Sequence, residues 1–220
     1  MPRALIIGSS GGIGHALMQA CPVRYDTVGL SRRSDGLDVT TEASVETVLG
    51  RLTGDFDLIF VATGALQIAG QGPEKSLRQI TETALRDQFA VNAIGPALLL
   101  KHALRLLPRD RRAVFAVLSA RVGSIGDNQL GGWYGYRAAK AAVNQIVHTA
   151  AIEIARTHKQ AVVTALHPGT VATPFTRDFV SPDKATPPEK AAANLLGVLD
   201  SLTPADTGQF FDYAGNRIPW

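Results

Sequence analysis

Residues 4–20 read ALIIGSSGGIGHALMQA: four apolar residues run straight into a loop of four glycines and two serines, and a segment of helical period follows. A β-branched run, a glycine loop and a helix in that order form the first unit of an α/β sheet. The same alternation recurs along the chain. Apolar runs stand at TVGL (27–30), DLIFVA (57–62), AVFAVLS (113–119) and AVVTALH (161–167), with a last short one at QFFD (209–212). Helical periods fall over 12–21, 41–53, 81–106, 135–158 and 187–202. Strands that are apolar on both faces need helices on both faces, which predicts a doubly wound parallel sheet of the Rossmann type.

The chain has 220 residues and is 45% hydrophobic, enough for one sizeable core, and nothing in its composition marks a second domain. We expect a single domain over 1–220. Prolines 168, 174, 182, 187 and 188 crowd the stretch after the 161–167 strand, so 168–186 reads as a loop over one end of the sheet. The SRRSDGLDVT segment (31–40) is too short for a helical crossover, so the helix is expected to be missing there and any edge strand near 37–39 to be short.

The net charge is +3 with scattered Lys and Arg, which gives no nucleic-acid patch. Cys21 is the only cysteine, excluding an internal disulfide and suiting a reducing compartment. Ala4–Ile7 is too short for a signal-peptide core or a membrane span, so the expected location is the cytoplasm, with no membrane partner. The five histidines show no metal-like spacing; His167 ends a strand, and His102, His148 and His158 read as helix-surface residues.

Glycines 8, 12 and 14 lie between strand and helix, where bare N–H groups and the helix dipole attract an anion and missing Cβ atoms let backbone approach it. The loop Gly8, Ser10, Gly11, Gly12, Ile13 and Gly14 is thus a candidate dinucleotide-phosphate cradle. After the second strand the chain reads VGLSRRS, with no carboxylate for the ribose hydroxyls of NAD. Arg32 and Arg33 can instead pair with the 2′-phosphate of NADP, so NADP(H) is the expected cofactor; the alternative is an exposed turn.

In GGWYGYRAAKAAVNQ (131–145), Tyr136 and Lys140 are four residues apart and share a helix face. A Lys ammonium near a phenol lowers a pKa otherwise near about 10 and makes Tyr a usable general acid/base. Tyr134 has Ala138 at that offset and lacks the partner.

Together, the G-x-x-x-G-x-G loop and the Y-x-x-x-K pair resemble the short-chain dehydrogenase/reductase family. The resemblance implies that Tyr136 donates or accepts the proton while Lys140 also holds the nicotinamide ribose. It assigns Asn92, in FAVNAIGPALLLKH (89–102), to a proton relay. Pro168, Val171 and Thr173, in HPGTVAT (167–173), would receive the carboxamide. Asp38 and Val39 would lie beside the adenine. Val61-Ala62-Thr63-Gly64 takes the place of the family's Asn-Asn-Ala-Gly turn, so Ala62 and Gly64 join the cofactor set. The catalytic Ser is replaced by Ala120, leaving Ser119 or Ser124 to supply a hydroxyl; Ser119 completes the candidate catalytic set.

QGPEKSL (71–77), LSARVGSI (118–125) and the closing GQFFDYAGNRIPW (208–220) resemble a narrower subgroup, the C-factor-like members and Sniffer-type carbonyl reductases. The implied substrate is a small carbonyl or alcohol compound, and the implied assembly a homodimer or homotetramer. A regulatory or signalling protein with weak turnover is the alternative.

Overall fold

A computed structural model describes residues 1–220, apart from the side chain of Pro182. Six strands form one sheet: β1 (Arg3–Ile7), β2 (Asp26–Leu30), β3 (Leu58–Val61), β4 (Ala113–Leu118), β5 (Ala161–His167) and β6 (Phe210–Asp212). All neighbours pair parallel, in the order β2-β1-β3-β4-β5-β6. Each strand that the apolar runs predict is present, and the doubly wound reading holds.

Alternate residues of each strand feed two separate cores. Leu5, Ile7, Ile59, Val61, Phe115 and Val163 face α3 (Glu42–Gly50), α5 (Gly95–Ala103) and α6 (Tyr134–Ile154). Ala4, Ile6, Phe60, Val114 and Val162 face α1 (Gly12–Ala20) and α7 (Pro188–Ser201). This two-sided burial explains why the strands read as apolar runs and not as alternating patterns.

In the register, Ile7 lies opposite both Leu30 and Val61, Val61 opposite Val117, and Leu118 opposite Leu166. The strands therefore end at one edge, and the loops beginning at Gly8, Ser31, Ala62, Ser119 and Pro168 all leave it. The chain winds in opposite directions from β1 and β3, which opens a crevice between their carboxyl ends.

Two sequence expectations need correction. No edge strand forms at 37–39; a one-turn helix, α2 (Arg32–Asp35), occupies the connection instead. Ser31 caps it by accepting from the Ser34 N–H at 3.0 Å, and Gly36 closes it at φ +70°. The following backbone is satisfied by a side chain: Ser44 accepts from the Asp38 N–H and donates to the Gly36 carbonyl, so no ladder is needed.

The expected 81–106 helix is present but divided into α4 (Glu82–Phe89), a π-helical turn (Ala90–Ile94) and α5. Pro96, which has no N–H to donate, sits just after that widened turn. Similarly, α6 stops at Ile154, and His158, expected on a helix surface, is buried.

Candidate active site

The glycine loop is shaped by contacts that only glycine permits. Gly8 has φ +90°, and the N–H groups of Gly8 and Ser9 both donate to the Leu30 carbonyl, at 2.8 and 3.1 Å. A Cβ on Gly14 would overlap the Gly8 carbonyl, so helix α1 can pack this close only without one. A Cβ on Gly8 would lie 3.0 Å from the Ala62 carbonyl. Gly11 caps α1 without a side-chain acceptor, and no acid occupies the first turn. The first-turn N–H groups of Gly12 and Ile13, flanked by exposed Ser10 and Gly11, thus remain available to an anion.

Thr63 is a residue the sequence reading passed over. Its hydroxyl is buried, has no hydrogen-bond partner among the described residues, and its methyl would lie 3.1 Å from a Cβ on Gly8. An orphaned hydroxyl at the β1–β3 crevice fits a polar ligand there. On the other wall the Thr173 methyl packs directly on the Cα of Gly12, which brings the Pro168–Thr173 segment over the loop. Val171 is buried in that segment and bridges to Thr186.

Arg32 and Arg33 project from α2 and are exposed. Asp38, assigned to the adenine side, turns its carboxylate onto the Thr40 hydroxyl and N–H, which lowers it below the usual carboxylate range with a smaller pull from Arg32. Val39 packs where a Cβ on Gly95 would meet it at 3.0 Å.

Tyr136 and Lys140 lie in the first two turns of α6 and are both buried. The Lys140 ammonium donates to the Leu118 carbonyl at 2.9 Å and stands 5.8 Å from the centre of the Tyr136 ring. Burial lowers Lys140 to about 7 and pushes the Tyr136 phenol above its ordinary range. The sequence argument expected the ammonium to lower the phenol. Loss of solvent outweighs that attraction, because a lysine driven toward its neutral form has little charge to offer.

Across from the pair, a Cβ on Gly64 would lie 3.1 Å from Asn92 Oδ1 and 3.6 Å from Lys140 Nζ, so Gly64 keeps open a passage between them. Asn92 is fully buried in the π-turn, accepts from the Ala65 N–H, and donates to the Ala65 carbonyl and to Gln88 Oε1. Gln88, one turn earlier and also buried, was not singled out by the sequence.

The hydroxyls expected to replace the missing serine at Ala120 are engaged elsewhere. Ser119 donates to Asn144 Oδ1 at 2.6 Å, and Ser124 donates to the Pro219 carbonyl and accepts from the Asp127 N–H. Ser119 therefore serves the packing of β4 against α6, and the Ala120 position has no hydroxyl of its own. His167 ends β5 as expected, is lowered to about 4 by burial and by the charge of Arg121, and has a buried Nδ1 without a partner among the described residues.

Aromatic rings enclose the phenol. Trp133 meets Tyr136 at 6.2 Å and Phe179 at 5.7 Å, both edge to face, and Phe175 lies 6.1 Å from Tyr136. Glu74, which no spacing rule picked out, is buried against the start of α6: its carboxylate accepts from the Gly135 N–H and its carbonyl from the Trp133 N–H.

The lysine environment has a measurable consequence. An unfolded lysine keeps its proton to about pH 10.4, whereas the buried one gives it up near 7. Between those values the unfolded chain binds more protons, so stability rises with pH; below 7 the full cost of burying an ammonium is present. Lys140→Met will therefore raise the melting temperature relative to wild type more at pH 6 than at pH 9. The Leu118 carbonyl loses its donor at either pH, so the pH dependence isolates the charge. Paired melts at the two pH values check this, and an advantage that grew with pH would contradict it.

Among the described residues no helix is long and apolar enough to cross a membrane. The family described as enoyl-(acyl carrier protein) reductase matches residues 30–209. A 1-hydroxy-2-glutathionyl-2-methyl-3-butene dehydrogenase from Rhodococcus sp. (strain AD45) is 30% identical over 236 aligned positions, covering all of both chains. The C-signal protein of Myxococcus xanthus is 35% identical over 133 positions, covering 60% of this chain and 76% of its own. A crystal structure of a Burkholderia multivorans chain with bound NADP superposes with a TM-score of 0.85 at 26% identity, covering 100% of this chain and 99% of that one.

Proposed function

This chain belongs to the short-chain dehydrogenase/reductase family, and we propose that it is an NADP(H)-dependent oxidoreductase acting on a carbonyl/alcohol pair in the manner of a carbonyl reductase. The observation that carries the reading is the burial of Tyr136 and Lys140 together at the sheet edge that also bears the glycine loop. The relative with bound NADP supports the cofactor, and the dehydrogenase of Rhodococcus supports the reaction class.

In this reading the N–H groups around Gly8, Ser10, Gly11, Gly12, Ile13 and Gly14 hold the pyrophosphate, with Ala62, Thr63 and Gly64 beside them. Asp38 and Val39 border the adenine, and Pro168, Val171 and Thr173 border the carboxamide. Bound NADPH would supply the hydride to the carbonyl carbon. Tyr136 gives its proton to the oxygen, completing the alcohol. Lys140 offers Nζ to a ribose hydroxyl; that second acceptor beside the Leu118 carbonyl favours the ammonium, and the charged form lowers the phenol. Asn92, facing Lys140 across Gly64, supports proton resupply. A cytoplasmic location and a homodimer or homotetramer that covers Ile94 and Ile152, both exposed, belong to the same proposal.

NADPH oxidation followed with a panel of aldehydes, ketones and quinones tests the reading. A second reading, a nucleotide-binding signalling protein with weak turnover, is favoured by Ala120 and by the similarity to C-signal. Tight NADPH binding with no turnover of any carbonyl would select it.

Arg32 and Arg33 carry a separate expectation. Guanidinium–phosphate hydrogen bonds are charge-assisted and have no counterpart on NADH. Arg32→Ala/Arg33→Ala will weaken NADPH binding by about tenfold or more, some 1.4 kcal/mol, and leave NADH binding unchanged. Fluorescence titration with both nucleotides checks this, and a preserved preference would assign the 2′-phosphate to other groups.

A further inference from the structure

The three residues before α6 all adopt left-handed backbone: Gly131 at φ +64°, Gly132 at φ +65° and Trp133 at φ +53°. Two are glycines, for which this is free. The third is the bulkiest side chain available, and for such a residue a left-handed conformation is strained.

The strain is held in place from several sides. The Trp133 N–H donates to the Glu74 carbonyl at 2.5 Å, and the Trp133 carbonyl accepts from the Arg137 N–H at 2.8 Å. Arg137 Nε donates to the Gly132 carbonyl at 3.0 Å, and the Gly131 N–H donates to Asn128 Oδ1 at 3.1 Å. Every one of these bonds except the last two belongs to the backbone of residue 133, and a glycine there could make them all without strain. The tryptophan is thus required for its ring, and the ring stands edge to face against the phenol of Tyr136 and against Phe179.

The charged groups beside this wall already have partners. Arg121 is paired with Asp127, Arg137 donates to the carbonyls of Gly132 and Val122, and the Glu74 carboxylate holds the Gly135 N–H. With Phe175 on the other side of the phenol, the groups that meet a substrate at Tyr136 are flat and apolar. We propose that Trp133 is the specificity-determining wall of the substrate site, and that it selects carbonyl compounds whose carbonyl is conjugated to a planar ring, such as aryl ketones and quinones. This rests on the function proposed above and assigns its substrate class.

Binding and turnover distinguish the two ideas. Calorimetric titration of the NADP-saturated protein with an aryl ketone and with an aliphatic ketone of equal carbon number reads the wall without any chemistry. Wild type should bind the aryl ketone at least tenfold more tightly. Trp133→Gly should erase that preference while keeping the melting temperature and NADPH affinity of wild type, because the backbone loses its strain and keeps its bonds. Trp133→Phe should retain most of the preference. In turnover, the loss in Trp133→Gly should appear in KM for the aryl ketone more than in kcat. Equal binding of the two ketones by wild type would overturn the inference, as would an unchanged preference in Trp133→Gly. A lowered melting temperature with equal losses on both ketones would make Trp133 a packing residue and also overturn it. Preferential binding without turnover would keep the wall and remove the reductase reading alone.

Discussion

Tyr136→Phe will bind NADPH as wild type does and lose roughly a hundredfold to ten-thousandfold in carbonyl turnover. The ring remains, so its contacts with Trp133 and Phe175 remain, and the buried site keeps its packing. Only the transferable proton is gone. Because the site lacks a second hydroxyl at Ala120, and Ser119 and Ser124 are engaged with Asn144 and Pro219, no neighbouring group replaces it. Tyr134→Phe, one residue into α6 and without a lysine four positions on, should be mild by comparison. Steady-state kinetics beside a nucleotide titration measure both effects, and a variant retaining most of its activity would remove Tyr136 from the chemistry.

Gly14→Ala should be the most damaging single methyl in the chain. The added Cβ overlaps the Gly8 carbonyl, and the obstacle is backbone, already fixed by the bonds from Gly8 and Ser9 to Leu30. Either α1 moves off the sheet or the loop deforms. Overpacking of this kind costs about 1–3 kcal/mol, occasionally more, and it distorts the N–H groups proposed to hold the phosphates. We expect a clear drop in melting temperature together with a loss of NADPH affinity of about tenfold or more, equivalent to 1.4 kcal/mol. Gly11→Ala is the control: its Cβ would lie 3.4 Å from the same carbonyl, an ordinary contact at an exposed position. Wild-type melting and binding in Gly14→Ala would mean that helix and loop do not pack as described.

The parts of the molecule readable from sequence are those written locally. An apolar run buried on both faces, a glycine loop opening a helix, and a tyrosine four residues before a lysine each carry their meaning within a few residues. The missed features depend on partners far along the chain. The edge strand at 37–39 is absent because Ser44 satisfies the backbone that a ladder would have paired. Glu74 matters because Gly135, sixty-one positions later, presents its N–H to it. Ser119 was a reasonable candidate hydroxyl until Asn144 was found to accept from it across twenty-five positions. Thr63 became visible only once the sheet brought it beside Gly8. Burial misled in one further case, since the spacing of Tyr136 and Lys140 says nothing about the solvent they lose.

The order of strands bears on how the chain is assembled. No two neighbouring strands form a hairpin; every pair is parallel and closed by a crossover, so each pairing must wait for a long loop to close. During synthesis β1 emerges with neither neighbour, gains β2 first, and stays open on its other side until β3 and its crossover are complete. The Gly8 loop bonds to Leu30 on one side and lies against Ala62 on the other. The segment translated first is therefore among those shaped late, and a nucleotide that recognises its final form secures the finished sheet without guiding its construction.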